Sequence, residues 1–572
     1  MNKVWRSFLG IVLLLSLGAG PLTGQDAPGY TPPYPELIAQ YQQLAAAHPE
    51  AQLRQVGPTD AGRPLQLFVM GGAPVSGELP LESLAQDKTV LLINNGIHPG
   101  EPCGINASLP YARQWLERGL PQDFLVAIIP AYNVGGALNR GPYSRANQRG
   151  PAAHGFRGNA RNLDLNRDFI KADARNTMSF YRLFHALDPH LFVDTHTSNG
   201  ADYRYTMTLI STQADKLMPA QRELLYQKLR PALYQDMENR GWPMIPYVNV
   251  FGRTPQKGYA AFLETPRYST GYTALHHCLG FVTETHMLKP FADRVASTEA
   301  FLHSLTQWAA RHGDELERSR QKAREQTARA HYQNIAWQVD SNQADTLSFK
   351  GYAAARIPSK LGPYQRLQYQ KDQPRTWPIP WYHRYQATDS ARLPRYYVLP
   401  QAWREVVRRL KANGVAMQRL EKDTSIALTS IYLKPGSWAR EPYEGHFPLR
   451  SIATEERPQK RLFLAGDYLI APRQQAQRFI VHTMEPRATD SYLRWNFFDA
   501  IFQQKEHFSP YVFEETAAQL LKENPALAED FKQWQSQNPQ EAEQAYPSLK
   551  WIYRHSPYYE AEHRRYPVGK IY

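Results

Sequence analysis

Short apolar runs that end in ionisable residues recur along the first half of the chain. The clearest is Val90–Ile93, which has the length and the flanking residues of a buried strand and breaks at Asn94–Gly96. Two later runs end in the same way, at Asp194–His196 and at Glu284–His286. Because open α/β sheets place their ligand sites at the carboxyl ends of strands, we expect these polar clusters to meet at one edge of a sheet.

Apolar positions with helical spacing separate these runs. The pattern predicts helices over residues 35–47, 101–118, 172–187, 214–240 and 290–310, and further strands over residues 53–56, 65–70 and 125–130. Strands that alternate with helices are typical of α/β domains. The first half of the chain is therefore predicted to have an α/β fold.

The chain after residue 312 has a different pattern. A charge-rich stretch over residues 313–335 predicts a helical connector, and the region 336–572 mixes strand-like with helical pieces and carries no catalytic motif. We predict strands over residues 347–355 and 461–470, and helices over residues 403–410, 492–502 and 514–534. We expect a mixed α/β accessory region that packs on the first domain.

The first residues are typical of a secretory signal peptide. Lys3 and Arg6 precede a short apolar core over residues 8–17, and small residues follow up to Gly24. The core is too short to span a membrane, and no second apolar run of about 18 residues follows it. We expect residues 1–24 to be removed, no integral membrane segment in the mature chain, and a secreted or periplasmic location.

Composition changes this picture little. The 572 residues carry a formal net charge of +13, which is spread along the sequence rather than collected in one run. Since no nucleic-acid-binding motif accompanies the charge, we interpret it as a solubility feature or an attraction for anionic cell-surface polymers, and expect no nucleic acid partner. For Cys103 and Cys278 we expect two buried thiols, with a disulfide as the alternative.

The break after the first strand carries a candidate metal-binding pair. His98 and Glu101 stand three residues apart in one turn, and imidazole and carboxylate are ligands that zinc takes in catalytic sites. The same HxxE spacing occurs at His312 and at His482, so the pair alone indicates little. We interpret the first of these as a solvated helical face, and place the second in a strand, where its two side chains point to opposite faces.

Partners elsewhere in the sequence distinguish His98. His196 supplies a third ligand, and Glu284 supplies a carboxylate that the metal does not need. The motifs HPGE, DLNRDF, DTH and TETH, in this order and at these distances, resemble those of the M14 family of zinc carboxypeptidases. The resemblance extends over about residues 30–305. It implies an α/β/α carboxypeptidase-like domain with a mixed central sheet over residues 30–312.

The resemblance also implies a role for each matching residue. His98, Glu101 and His196 would bind one zinc ion per chain, and Glu284 would be the general base. Metal-binding histidines usually donate their other ring N–H to a carboxylate. The resemblance assigns that carboxylate to Asp164, which would accept the hydrogen bond from His98.

Substrate contacts are implied in the same way. Asn166 and Arg167 would grip the C-terminal carboxylate of a peptide, and Tyr268 or Tyr272 would close over it. The segment some fifteen residues before the general base lines the pocket for the departing side chain in related enzymes. Arg267 in that segment would then select acidic C-terminal residues, unless its side chain faces outwards.

A long arginine-rich loop over residues 139–161 precedes the DLNR motif, and loops of this length inside a compact domain are usually functional. The family places in this loop one arginine that stabilises the oxyanion of the tetrahedral intermediate. Arg157 stands where related enzymes carry it, and Arg145 and Arg149 are the alternatives.

The sequence therefore predicts a secreted zinc metallocarboxypeptidase whose partner is a peptide with a free C-terminus. One alternative is a zinc-dependent deacylase or amidase that acts on N-acyl amino acids or on peptidoglycan stem peptides. Another is an inactive cell-wall binding protein, against which the intact metal ligands and the intact Glu284 argue.

Overall fold

The computed structural model describes residues 29–74 and 79–572, so the signal peptide predicted for residues 1–24 lies outside the described residues. The described residues of the first half of the chain contribute nine strands: β1 (Ala51–Pro58), β2 (Pro64–Gly71), β3 (Thr89–Asn94), β4 (Phe124–Ile129), β5 (Leu191–Ser198), β6 (Met207–Ser211), β7 (Met244–Pro246), β8 (Tyr259–Ala260) and β9 (Leu279–His286). All except β8 form one eight-stranded sheet, in the order β1-β2-β4-β3-β5-β9-β6-β7.

The central four strands of this sheet, β4, β3, β5 and β9, are parallel to one another. The strands β1 and β2 are antiparallel to their neighbours on one side, and β6 is antiparallel to β9 on the other. The predicted mixed sheet is thus confirmed. Because the four central strands run in one direction, the carboxyl ends of β3, β5 and β9 lie at the same edge.

Within residues 29–74 and 79–329, ten α-helices accompany these strands: α1 (Tyr34–Ala47), α2 (Leu81–Ala85), α3 (Cys103–Arg118), α4 (Val134–Leu138), α5 (Arg175–Leu187), α6 (Pro219–Glu223), α7 (Arg230–Asn239), α8 (Ser269–Thr273), α9 (Phe291–Arg311) and α10 (Gly313–Arg329). A π-helical turn over Leu224–Leu229 joins α6 to α7. The long predicted helices are confirmed to within a few residues at most ends.

The central sheet buries apolar residues on both faces. Along β3, Leu91 and Ile93 pack on one side with residues of α1, α3 and α9. The alternate residues Val90 and Leu92 pack on the other side with residues of α5 and of the chain beyond residue 390. Successive side chains of a strand point to opposite faces, so an uninterrupted apolar run is what a sheet covered on both sides requires.

The chain after α10 has the following strands and helices: β10 (Tyr332–Val339), β11 (Asp345–Pro358), β12 (Gln365–Tyr382), β13 (Tyr385–Arg392), β14 (Tyr396–Leu399), α11 (Arg404–Ala412), β15 (Gln418–Arg419), β16 (Thr424–Leu433), β17 (Ser437–Trp438), β18 (Leu449–Ser451), β19 (Thr454–Phe463), β20 (Tyr468–Ile470), α12 (Gln477–Met484), α13 (Pro510–Glu523), α14 (Pro525–Gln537), α15 (Pro539–Ala542), α16 (Ala545–Arg554) and β21 (Gly569–Ile571). Six of the strands form a second sheet in the order β15-β20-β14-β21-β16-β19.

This C-terminal region, residues 336–572, shares a hydrophobic core with the first half of the chain. Its buried residues Tyr397, Phe479 and Tyr566 belong to the same cluster as Val90 and Leu92 of the central sheet. Strand β12 also pairs with β8 of the first half of the chain, which extends the contact between the two parts. The region is therefore a mixed α/β layer that covers one face of the central sheet.

Four predictions for this region were wrong. The strand predicted over residues 461–470 is divided by a turn, because β19 ends at Phe463 and β20 begins at Tyr468. His482 lies in α12, fully buried, rather than in a strand, because a short apolar run fits a buried helix as well as a buried strand. Residues 492–502 form turns and one short 3₁₀ helix over Asp499–Phe502, with Asn496 in the left-handed region. The helix predicted over residues 514–534 is interrupted at Asn524, since Pro525 starts a new helix that the Asn524 side chain caps.

Two further expectations concern the two cysteines and the membrane-spanning segments. Cys103 and Cys278 are both buried and free. Within the described residues, no helix combines the length and the apolarity that crossing a bilayer requires.

Candidate active site

The first polar cluster lies in a tight turn directly after β3. Gly96 adopts a φ of +63°, and a Cβ atom there would lie 2.9 Å from Ile105 Cδ1, so both the backbone angle and the space favour glycine. Two residues on, the N–H of Glu101 donates to the carbonyl of His98 at 2.8 Å. The turn places both side chains on the same side, and each is only 3% exposed.

The second and third clusters lie on neighbouring parallel strands. His196 of β5 and Glu284 of β9 are direct partners in the strand register, so their side chains leave the sheet on the same face. The Nδ1 atom of His196 lies 3.1 Å from Glu101 Oε2, and His98 Nδ1 lies 3.4 Å from Glu101 Oε1. The strand ends thus meet as the apolar pattern predicted.

His98, Glu101 and His196 have the arrangement of a metal-binding set. One ligand atom of each lies within 4.8 Å of the other two, and all three residues are buried. His98 Nδ1 is buried without a hydrogen-bond partner among the described residues, while its Nε2 is engaged elsewhere. An orphaned imidazole nitrogen aimed at a carboxylate and a second imidazole fits a metal ion, and this donor set suits zinc.

Each of the two histidines has a carboxylate next to its Nε2 atom. His98 Nε2 lies 2.9 Å from Asp164 Oδ1, the contact that the family resemblance implies, and His196 Nε2 lies 3.1 Å from Asp194 Oδ2 and 3.4 Å from the Asn166 amide nitrogen. In both rings the Nε2 atom is thereby committed and Nδ1 faces the centre of the site. Carboxylates in this position fix the ring orientation and raise the basicity of a metal-binding histidine.

Electrostatics keep Glu101 ionised. Burial alone would raise the pKa of its carboxyl, but the nearby Arg145 guanidinium, His98 and His196 hold that pKa well below its usual range. Arg145 donates to Glu101 Oε1 at 2.7 Å, and the Thr197 backbone N–H donates to Glu101 Oε2 at 2.8 Å. An ionised, oriented carboxylate is the form that binds a metal.

The two arginines that reach this site differ in how firmly they are held. Arg145 is bound to Glu101, to the carbonyl of Thr197 and to Gln148. The Arg157 side chain is 44% exposed and donates to Asp164 through Nε at 2.9 Å. Both line the cavity beside the metal-binding set, whereas Arg149 does not, among the described residues. Arg157 is more exposed than Arg145 but is also bound on both sides, because its Nη2 contacts Asp164 Oδ2 at 2.8 Å and its Nη1 contacts Glu101 Oε1 at 3.4 Å.

Glu284 has the environment of a carboxyl that exchanges protons near neutrality. Burial raises its pKa to about 7, and the negative Glu101 adds to the rise, while His196, Arg145 and Arg157 oppose it. General acid–base groups work best when their pKa lies near the operating pH. Glu284 and Glu101 line one cavity, but the pKa of Glu284 is raised whereas that of Glu101 is lowered.

A cavity of about 500 Å³ opens over these residues. Asn166, Arg167 and Tyr268 line it beside the metal-binding set, and the Asn166 amide nitrogen lies 3.4 Å from His196 Nε2. The Arg167 guanidinium lies 4.6 Å from the centre of the Tyr268 ring, and the Asn166 side chain accepts a hydrogen bond from the Ser269 N–H at 3.1 Å. The structure thus gathers the predicted carboxylate-binding pair and one of the two predicted tyrosines at one wall.

Tyr272 and Arg267 are not brought to this cavity. Tyr272 is fully buried in the core, and its hydroxyl donates to Asn413 at 2.6 Å. It does not share a face with Tyr268, because Tyr268 has an extended backbone and precedes the first turn of α8. Arg267 is bound to Asp490 through its backbone N–H, at 3.0 Å, and through its guanidinium, at 2.6 and 2.9 Å. Arg267 is thus committed within the protein and does not face a departing side chain.

Sequence reasoning missed several lining residues. Tyr247 lies directly after the short edge strand β7, and Phe262, Ile210 and Val282 add apolar surface to the cavity. A tyrosine at the end of a strand was the one available signal for Tyr247, but β7 is only three residues long and has no strand-like alternation in the sequence. Ile210 and Val282 are cross-strand partners of β6 and β9, a pairing that sequence spacing does not reveal.

Comparisons with known proteins find similarity to proteins named carboxypeptidases. The chain is 21% identical over 453 residues to carboxypeptidase 2 of Trichophyton equinum, with 76% of this chain and 78% of that protein covered. It is 22% identical over 428 residues to a probable carboxypeptidase 2 of Trichophyton verrucosum, with 71% and 76% covered. A metallo-carboxypeptidase structure from Pseudomonas aeruginosa aligns with a TM-score of 0.36 and 16% identity, covering 49% of this chain and 69% of that one. No family model matches the sequence.

Proposed function

We propose that this chain is a metallocarboxypeptidase of the M14 type, a zinc enzyme that hydrolyses the C-terminal peptide bond of peptides; its similarity to fungal proteins named carboxypeptidase 2 supports the proposal. The observation that carries the proposal is one cavity that joins a buried His98–Glu101–His196 set, a carboxyl with a raised pKa, and an arginine. Each of these parts supplies one function that the reaction needs.

The metal-binding set would hold a single zinc ion through Nδ1 of His98, Nδ1 of His196 and the carboxylate of Glu101. When bound, zinc lowers the pKa of a water molecule and polarises a carbonyl group. Asp164 and Asp194 orient the two imidazoles, so the ligands are arranged before the metal arrives.

Glu284 is the proposed general base. Its carboxylate would take a proton from the attacking water and later deliver that proton to the leaving amine nitrogen. A pKa of about 7 allows one group to serve in both directions near neutral pH. Arg157 lines the same cavity and is the proposed donor to the oxyanion that forms on the attacked carbonyl.

Arg167 and Asn166 are the proposed binding site for the C-terminal carboxylate. A guanidinium presents a planar fork of donors that matches a carboxylate, and Tyr268 holds this fork from one side. Ile210, Val282 and Phe262 line the adjoining surface, so we propose that the departing residue has an apolar side chain rather than an acidic one.

Two peptides and three proteins test the exopeptidase assignment. The wild-type enzyme should cleave a peptide that ends in leucine as the free acid and discriminate against its C-terminal amide by up to ~10⁴-fold, because the amide leaves the Arg167 fork unpaired. Arg167→Ala should remove most of this preference by lowering kcat/KM on the free acid. Arg113→Ala, which replaces an exposed arginine on α3, is the control and should behave as wild type.

Other outcomes would assign the site differently. Equal cleavage of acid and amide would overturn the exopeptidase assignment. Faster turnover of an N-acyl amino acid than of the peptide would support the deacylase alternative instead. Secretion or export to the periplasm stays a prediction from residues 1–24, to be checked by N-terminal sequencing of protein isolated from its native source.

A further inference from the structure

One carboxylate of the C-terminal region contacts a residue that adjoins the proposed metal ligands. Glu444 lies in the loop between β17 and β18, and its Oε2 accepts a hydrogen bond from the backbone N–H of Asp164 at 2.7 Å. Asp164 is the residue that orients His98. A residue of the C-terminal region therefore lies two hydrogen bonds away from a proposed metal ligand.

Asp164 organises more of the site than His98 alone. Its Oδ1 faces His98 Nε2 and also accepts the backbone N–H of Asn166, at 2.9 Å each. Its Oδ2 accepts two hydrogen-bonding contacts from Arg157, at 2.8 and 2.9 Å. A shift of the Asp164 backbone would therefore move a metal ligand, a carboxylate-binding residue and the proposed oxyanion donor together.

Several contacts hold the backbone of the loop that carries Glu444. Glu444 has a φ of +50° and Gly445 a φ of +79°, within a tight turn closed by hydrogen bonds between Tyr443 and His446. A left-handed conformation is unfavourable for a residue that has a Cβ, so such a residue persists there only when its surroundings hold it. His446 ties the same loop to Asp173 at 2.7 Å, close behind Asp164 in the chain.

We propose that Glu444 is a positioning residue of the metal centre, which makes the C-terminal region a structural part of the active site. By accepting the Asp164 N–H, it fixes the backbone from which the Asp164 carboxylate orients His98 and Arg157. The effect on zinc affinity does not depend on which reaction the site performs; only the effect on kcat rests on the proposed function.

The positioning role of Glu444 can be tested separately from the stability of the folded protein. The interface between the two parts of the chain is also held by the Arg267–Asp490 ion pair, by Arg409 against the carbonyl of Ala172, and by the shared core. Loss of one hydrogen bond at Glu444 leaves these contacts in place. The two parts should therefore remain docked in a Glu444 variant.

The test compares Glu444→Ala, Glu444→Gln and Glu441→Ala, which alters an exposed carboxylate of the same loop. Zinc affinity of the metal-free proteins is measured by competition with a chromophoric chelator, alongside the thermal midpoint, kcat and KM. We expect Glu444→Ala to lower zinc affinity by about 3- to 10-fold and to lower kcat more than it raises KM. Glu444→Gln keeps an acceptor oxygen and should restore most of both, and Glu441→Ala should match wild type.

Several outcomes would overturn the proposal. Wild-type zinc affinity in Glu444→Ala would show that the contact does not position the site. An equal loss in Glu444→Gln would show that accepting the Asp164 N–H is not what matters, and an equal loss in Glu441→Ala would make the effect non-specific. If no protein cleaves peptides but Glu444→Ala alone binds zinc more weakly, the proposed function fails and the positioning role stands.

Discussion

Replacing Glu284 by glutamine should make the metal-free protein more stable and the enzyme much slower. Glu284 is a partly buried carboxyl on β9, facing His196 across the strand pair, and burial raises its pKa from 4.5 to about 7. Above pH 7 the metal-free protein must keep this carboxylate charged in a site that disfavours the charge. Glutamine has nearly the same shape and carries no charge.

The sign and size of the effect follow from the pKa. Since the folded-state pKa lies above the unfolded-state value, the wild-type protein loses stability as pH rises from about 4.5 to about 7, and no more is lost above that. At about 1.4 kcal/mol per pH unit, the full loss is roughly 3 kcal/mol. For a chain of this length, unfolding entropy converts this into roughly 2–3 °C in thermal midpoint.

Two measurements on metal-free protein check this prediction. The thermal midpoint of Glu284→Gln should exceed that of wild type at pH 8, and the two should nearly coincide at pH 4.5. In the zinc-loaded enzyme, kcat should fall by ~10²–10⁴-fold while zinc affinity is retained. A glutamine variant that is no more stable at pH 8 would refute the pKa reasoning, and one with near-normal kcat would remove Glu284 from the mechanism.

Four further predictions address the remaining parts of the site. A strong chelator should abolish activity and zinc should restore it at about one ion per chain, as measured by elemental analysis. Asp164→Asn should weaken zinc binding by ~10–100-fold in the same competition assay, because the amide no longer fixes the His98 ring. Arg267→Ala should leave the relative kcat/KM for peptides ending in Glu, Lys and Leu unchanged while lowering the thermal midpoint, since its guanidinium serves Asp490; a change in the ratio for Glu would contradict this. Tyr272→Phe should cost about 1 kcal/mol of unfolding free energy in denaturant titration and leave kcat and KM unaltered, because the hydroxyl contacts Asn413 in the core.

The parts of the site that lie at strand ends could be predicted from the sequence. An apolar run marks a buried strand, parallel strands end at one edge, and the residues that follow must meet there. His98, His196 and Glu284 satisfy this reasoning, and the mixed sheet that carries them was predicted as well. The family resemblance, rather than the pattern of strands, assigned Asp164, which lies 2.9 Å from His98 Nε2.

Residues whose direction depends on a local turn could not be assigned in this way. Tyr268 and Tyr272 stand four apart, yet one lines the cavity and the other fills the core, because α8 begins between them. The role of Arg267 depends on Asp490, far along the chain, and the role of Glu444 depends on Asp164. No pattern within either segment indicates such a long-range pair, so only the packing of the two parts reveals it.

The position of β21 in the second sheet has a consequence for how the protein is made. Residues 569–571 lie between β14 and β16, inside that sheet rather than at its edge. On a ribosome, every residue proposed to bind metal or substrate emerges long before this strand does. The layer that covers the central sheet and supplies Glu444 cannot close until β21 has been added. The Glu444 contact with Asp164 should therefore reach its final geometry only after β21 has emerged and paired with β14 and β16.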